Sequence, residues 1–125
     1  MSTRAIVALP TSKGFITAWC WNDGGPNNLG RELKRYFKEE DSVRQLINLH
    51  SFSSLWGPRT ITSCMSDGDT AIVLSNLRYV LMHPHNGQVV AGKGKYGFFD
   101  SLEEMLGQDL NYVYVFEDGR WNTYK

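Results

Sequence analysis

The chain has 125 residues, of which 42% are hydrophobic and 13% aromatic, so it is long and apolar enough to fold as one globular domain over residues 1–125. Thirteen basic residues balance thirteen acidic ones, and this zero net charge argues against a protein that coats nucleic acid through bulk charge. The sequence contains no apolar run of membrane-spanning length and no recognisable signal peptide. These features predict a cytoplasmic protein that does not bind membranes.

The N-terminal part predicts a β-hairpin. Residues 3–9 and 14–20 are rich in β-formers, and the Pro, Ser and Gly between them predict a loop of three to five residues. Both faces of these strands carry apolar side chains, so we expect the hairpin to be covered on both sides.

Two helices are predicted next. Leu29, Leu33, Tyr36 and Phe37 share one helical face, and Asn27 or Asn28 is placed to cap the first turn. The second helix has an apolar stripe and a capping box. The stripe consists of Val43, Leu46 and Ile47, and the box of Ser42 and Gln45. The "SFSS" run at 51–54 is typical of a turn that ends a helix.

The middle of the chain is harder to interpret. Residues 59–76 show no clear pattern, and the apolar run over 69–82 is compatible with a strand pair or with a buried helix. Asn86-Gly87 is a strong hairpin signal, so residues 78–83 and 88–91 are predicted to pair as strands.

The C-terminal part predicts a third helix and a last hairpin. Ser101 and Glu104 form a capping box, and Leu102, Met105 and Leu106 form the buried face. Asp118-Gly119 then joins two strands in which Phe116 faces Trp121. Three hairpins without a βαβ alternation predict an α+β fold, a mostly antiparallel sheet with about three short helices packed on it.

The motifs that resemble reaction or cofactor sites have simpler explanations. Residues 92–97 spell G-x-G-x-x-G, but no helix begins at the last glycine, so a dinucleotide site is not predicted. Lys93 and Lys95 in this loop could still contact an anion, with Tyr96 as a stacking face. His83 and His85 could point the same way on an extended strand, yet two histidines alone do not make a zinc site. We expect no metal, no cofactor and no catalytic residue.

The stretch from Ala18 to Gly30 holds Trp19 and Trp21 on one strand face, followed by an Asp23-Gly24 turn. The tryptophans are either covered by the first helix or exposed as a binding surface. Tryptophan and arginine are favoured interface anchors, so Trp21, Trp56 and Arg59, near predicted turns, are candidate binding residues together with Asp23.

Several short segments, taken in chain order, resemble a family of small bacteriophage and prophage proteins. The matching residues are Ser2-Thr3-Arg4, Cys20 to Pro26 with Asp23-Gly24, Ser53-Ser54-Leu55, and Tyr112-Val113-Tyr114-Val115-Phe116 followed by Asp118-Gly119 and Trp121. Trp21 stands where the family has histidine, and Asn22 where it has tryptophan. The resemblance implies an accessory protein that acts in the host cytoplasm, and it implies no reaction.

Two functions from different classes follow. The first is a non-enzymatic protein of a phage or mobile element that binds a host protein or defence system. The second is a pocket that binds, sequesters or cleaves a nucleotide-like molecule, with Lys93, Lys95, His83 and His85 as anion contacts and Trp21 or Tyr96 as the stacking face.

Overall fold

A computed structural model describes residues 3–83 and 97–125 of the chain. Over these residues it contains nine strands and four helices. The strands are β1 (Ala5–Thr11), β2 (Gly14–Cys20), β3 (Ser51–Phe52), β4 (Ser54–Trp56), β5 (Thr70–Val73), β6 (Tyr79–Met82), β7 (Phe98–Phe99), β8 (Tyr112–Glu117) and β9 (Arg120–Tyr124). The helices are α1 (Arg31–Tyr36), α2 (Glu40–Ile47), α3 (Ile61–Cys64) and α4 (Leu102–Leu106).

The strands form two sheets. The larger has the order β3-β2-β1-β8-β9, with β7 also beside β2, and the smaller has the order β4-β6-β5. Most pairs are antiparallel, which confirms the predicted α+β class. Two pairs, β1–β8 and β2–β3, are parallel. The β2–β3 pair was not predicted, and it arises because α1 and α2 carry the chain from β2 across to a parallel strand in the same sheet.

The first hairpin is tighter than predicted. β1 and β2 pair from Ala5↔Cys20 to Thr11↔Gly14, which leaves only Ser12 and Lys13 in the loop. The expected loop of three to five residues was wrong because Pro10 and Thr11 continue the strand. Thr11 instead closes the turn with its side chain, whose hydroxyl donates to the Gly14 carbonyl.

Both predicted helix caps in the first half were wrong. The first helical segment begins at Pro26 after Gly25 and has no side-chain cap from Asn27 or Asn28. Its first turn is wide, since the Gly30 N–H donates to the Gly25 carbonyl, five residues back. The second helix begins at Glu40, and the Ser42 hydroxyl donates to the Glu39 carbonyl at 2.7 Å instead of capping the helix.

The middle of the chain is extended. Residues 51–54, expected to end a helix, comprise β3, a bend at Ser53 and the start of β4, so the chain passes from the large sheet to the small one at Ser53. The apolar run over 69–82 is a strand pair, β5 with β6, one of the two predicted alternatives. Residues 78–83 contain the predicted strand β6, which pairs with β4 and β5, whereas its predicted partner at 88–91 lies outside the described residues.

Two apolar clusters cover the two faces of the large sheet, as the sequence of β1 and β2 predicts. One cluster joins that sheet to α1, α2 and the small sheet, with Leu33, Phe37, Leu46 and Val80 among its buried members. Tyr36, predicted on the same face, is exposed. The buried apolar face of the first helix is therefore narrower than the sequence predicts.

The second cluster is covered by α4. Trp19 is buried there and Trp21 packs partly buried beside it, with their ring centroids 5.4 Å apart. These tryptophans therefore lie under the third of the predicted helices, not the first. Within α4, Ser101 accepts from the Glu104 N–H as predicted, but Leu106 is exposed.

The C-terminal hairpin is as predicted at its turn. Phe116 pairs with Trp121, and Asp118 and Gly119 have φ values of 55° and 75°. The Phe116–Trp121 pair lies on the α1 side of the sheet, where the Trp121 indole N–H donates to the Phe37 carbonyl at 2.9 Å. The opposite face of the hairpin, with Val113 and Val115, packs in the cluster under α4.

Candidate functional site

The turn after β2 is built into the core. The Tyr114 hydroxyl, fully buried, donates to the Gly24 carbonyl at 2.7 Å, and the Gly24 N–H donates to the Thr3 carbonyl at 3.0 Å. A Cβ atom added at Gly24 would lie 3.0 Å from the Thr3 oxygen, so any other residue would force the neighbouring backbone to shift. These two hydrogen bonds fix the backbone next to Asp23.

Cys20 closes the strand before that turn and is structural. Its thiol donates to the Asn22 carbonyl at 3.1 Å and to the Ser53 carbonyl at 3.4 Å. Burial raises the pKa of the Cys20 thiol far above its usual range, and the hydrogen bond to Asn22 offsets only part of this. Cys20 therefore stays a neutral thiol, which excludes it as a nucleophile. The apolar or mixed sequence surroundings of the two cysteines predict buried, reduced thiols, and Cys64 departs from this because it is partly exposed.

A pocket of about 380 Å³ opens beside this turn, between the end of β2, β4 and β6. It brings together three of the residues singled out from the sequence, Asp23, Trp56 and His83. The remaining lining residues are Thr3, Asn22, Ser53, Ser54, Cys64 and Leu81. The lining is mostly polar, and we call this cavity the β2–β6 pocket.

His83 is held by a carboxylate that the sequence analysis missed. Its Nδ1 lies 2.6 Å from Asp69 Oδ1, and the Asp69 side chain is only 5% exposed. The other oxygen of Asp69 accepts from the Ser66 N–H at 2.9 Å. Asp69 and His83 meet because the β5–β6 register sets Thr70 opposite Met82. No short-range motif signals such a contact.

Trp56 and the serines shape the other wall. The Trp56 indole N–H donates to the Ser54 hydroxyl at 2.6 Å, which fixes the ring relative to β4. The Asn22 side-chain amide donates to the Ser53 hydroxyl at 2.8 Å and ties the β2 end to the same strand region. The serines were interpreted from sequence as a helix end, so their role here was not predicted.

The other predicted site residues lie elsewhere. Trp21 packs with Trp19 in the cluster under α4, and Arg59 is exposed in the turn after β4. His85, Lys93, Lys95 and Tyr96 fall outside the described residues. The predicted anion contacts of His85, Lys93 and Lys95 and the predicted stacking role of Tyr96 therefore stay predictions.

A second feature is an exposed apolar surface on the small sheet, which we call the β5 surface and define by Ile72, Val73 and Leu77. Their side chains are 36%, 54% and 67% exposed. All four residues of β5 are exposed, and residues 70–77 include no charged residue and no proline. Within the described part of the chain, β5 pairs only with β6 and stands at the edge of its sheet.

The turn that contains Leu77 is held against the helical layer by two hydrogen bonds. The Ser75 N–H donates to Gln45 Oε1 at 3.0 Å, and the Asn76 side chain donates to the Tyr36 carbonyl at 2.8 Å. Arg78 stacks on the Tyr36 ring at 3.6 Å. Leu77 itself has φ 63°, a left-handed conformation that is rare for a bulky residue.

Comparison with protein-family models, with curated proteins and with solved structures gives no match to this chain. Over residues 3–83 and 97–125, no three His, Cys, Asp or Glu side chains are grouped so as to hold a metal ion. None of the described helices has the length and hydropathy needed to cross a membrane.

Proposed function

We propose that this chain is a non-enzymatic binding protein that engages a partner protein through the β5 surface. The observation that supports this most directly is the exposure of Ile72 and Val73 on an edge strand and of Leu77 in the turn that follows it. Edge strands of soluble proteins usually carry a lysine, a proline or a bulge that prevents pairing with other chains. The absence of charge and proline over residues 70–77 is consistent with an edge that accepts a partner.

The partner chemistry follows from this surface. An extended segment adds, through backbone hydrogen bonds, to the edge of β5 that no described strand pairs with, and its apolar side chains cover Val73 and Leu77. The hydrogen bonds from Ser75 and Asn76 to the helical layer hold the turn in place before binding, so little order is lost on association. The strained backbone of Leu77 supports the same view, because strain is retained most often where a function needs it.

The setting is also part of the proposal. The resemblance to bacteriophage and prophage proteins supports a host protein, or a component of a host defence system, as the partner. A zero net charge suits a protein surface better than bulk nucleic acid. Trp56 and Arg59, the anchors predicted from the sequence, lie in and just after β4, at the opposite edge of the small sheet, and are not part of this surface.

Capture from a bacterial host lysate with the tagged full chain tests this proposal. Val73→Lys places a charge in the centre of the β5 surface, and Thr123→Lys is the matched control at an exposed position on β9, the edge strand of the large sheet. We expect both variants to keep the wild-type melting temperature, because both positions are exposed.

The captured partner should be reduced about tenfold or more by Val73→Lys, as for a central interface residue, and unchanged by Thr123→Lys. A partner retained equally by both variants would show that β5 is not the binding surface. If no partner is captured and a small ligand binds instead, the chain is not a protein-binding module.

A further inference from the structure

The β2–β6 pocket has a charge pattern that selects its ligand. Its lining carries the carboxylate of Asp23 and the imidazole of His83, which is paired with Asp69 behind it. Among its described lining residues there is no lysine and no arginine. A phosphate group would meet the Asp23 carboxylate with no lysine or arginine among these residues to compensate, whereas an amino group would be attracted to the carboxylate.

The Asp23 carboxylate is positioned to accept a hydrogen bond from such an amino group. It is exposed at the pocket, and its backbone has φ 55°, a left-handed conformation that glycine adopts more readily. Its neighbours are fixed on both sides, Asn22 by its amide on Ser53 and Gly24 by Tyr114. The carboxylate therefore stands on rigid backbone, as a preorganised binding group requires.

The opposite wall offers an aromatic ring and further polar groups. The indole of Trp56 is oriented by its hydrogen bond to Ser54, so its ring is available as a flat, fixed contact for a planar ligand. His83, oriented by Asp69, adds a polar ring at the same cavity. The pocket volume of about 380 Å³ lies at the lower end of the range for small-molecule sites, roughly 300–1,000 Å³.

We infer that the β2–β6 pocket binds a planar nitrogen heterocycle that bears an amino group, of the size of a nucleobase or nucleoside, without a phosphate. Asp23 accepts hydrogen bonds from the amino group, and Trp56 packs against the ring. This site is separate from the β5 surface, so it neither requires the proposed protein partner nor is required by it.

The binding of nucleosides to the full chain tests this inference, measured by thermal shift and calorimetry. The probes are adenosine, cytidine and guanosine, their 5′-monophosphates, and uridine, which has no exocyclic amino group. Asp23→Asn removes the charge and keeps a side chain that tolerates a left-handed backbone. Asp118→Asn is the matched control, because Asp118 has the same φ of 55° in the turn between β8 and β9.

We expect at least one amino-bearing nucleoside to raise the melting temperature in proportion to its excess over Kd, and uridine not to do so. Asp23→Asn should weaken that binding about tenfold or more, as loss of a charged hydrogen bond does, and Asp118→Asn should leave it unchanged. The inference is overturned if the monophosphates bind more tightly than the nucleosides, if none of the probes binds, or if the two variants bind equally. Val73→Lys should bind the nucleoside as the wild type does, which separates this result from the test of the protein partner.

Discussion

Tyr114 illustrates how one residue connects the core to the candidate site. Its side chain is fully buried, and its hydroxyl supplies the hydrogen bond that holds the Gly24 carbonyl beside Asp23. Burial raises the pKa of the Tyr114 hydroxyl, so the group remains a donor throughout the neutral range. Tyr114→Phe leaves a buried carbonyl without this partner, and we expect the free energy of unfolding in urea to fall by about 1–3 kcal/mol.

Tyr112→Phe is the control for this prediction. The Tyr112 ring stacks on Tyr114 with centroids 6.1 Å apart, but Tyr112 is only partly buried. Removing its hydroxyl should change the unfolding free energy by less than about 0.5 kcal/mol, as is usual away from buried polar contacts. Equal losses in the two variants would mean that the hydrogen bond to Gly24 does not stabilise the turn.

At the scale of elements, the Phe116–Trp121 pair is a main contact of the C-terminal hairpin near its turn. The ring centroids of Trp121 and Phe116 lie 5.1 Å apart. The Trp121 indole N–H also donates to the backbone carbonyl of Phe37, at the end of α1. Trp121 is partly exposed, so Trp121→Ala should cost about 3 kcal/mol, at the low end for aromatic truncations. Trp121→Phe retains the aromatic pair and should cost less. A Trp121→Ala variant with the wild-type melting temperature would show that the hairpin does not depend on this contact.

The elements also show what sequence periodicity can and cannot predict. Turns with a single chemical requirement were predicted correctly, as at Asp118-Gly119, whose two residues both adopt positive φ. Cap spacing was a weaker guide, because Ser101 caps its helix as predicted, whereas the Ser42 hydroxyl has the same spacing but donates backward to the Glu39 carbonyl. The strand at Ser51 was missed because it is only two residues long and pairs in parallel with Trp19, far away in the chain.

The same reasoning applies to the candidate site. Asp23, Trp56 and His83 were singled out for unrelated local reasons, and the fold then placed them around one pocket. Asp69 could not be predicted, because its contact with His83 depends on the register of β5 against β6. The sequence shows which side chains could bind a ligand, but the strand order and register determine which of these side chains lie in the same pocket.

At the scale of the whole molecule, β1 joins the two halves of the chain. It pairs along its full length with β2 and over Ala5–Ala8 with β8, near the other end of the sequence. Ala5 and Val7 face one apolar cluster, while Ile6 and Ala8 face the other. Separating β1 from its neighbours therefore breaks both clusters at once, and cooperative unfolding is the expected consequence.

Native-state hydrogen exchange should reveal this arrangement. Amides of β1 that bond to β2 or β8 should exchange only through global unfolding, because residues 5–8 are fully buried. Amides of β5 should exchange about a thousandfold faster or more, through local opening, since that strand is exposed and, within the described residues, bonds on one side only. Equal protection of β1 and β5 in the isolated protein would contradict this, and it would also mean that the edge of β5 is not open to a partner. Slower exchange in β5 after the partner is added, with β1 unchanged, is the result that strand addition requires.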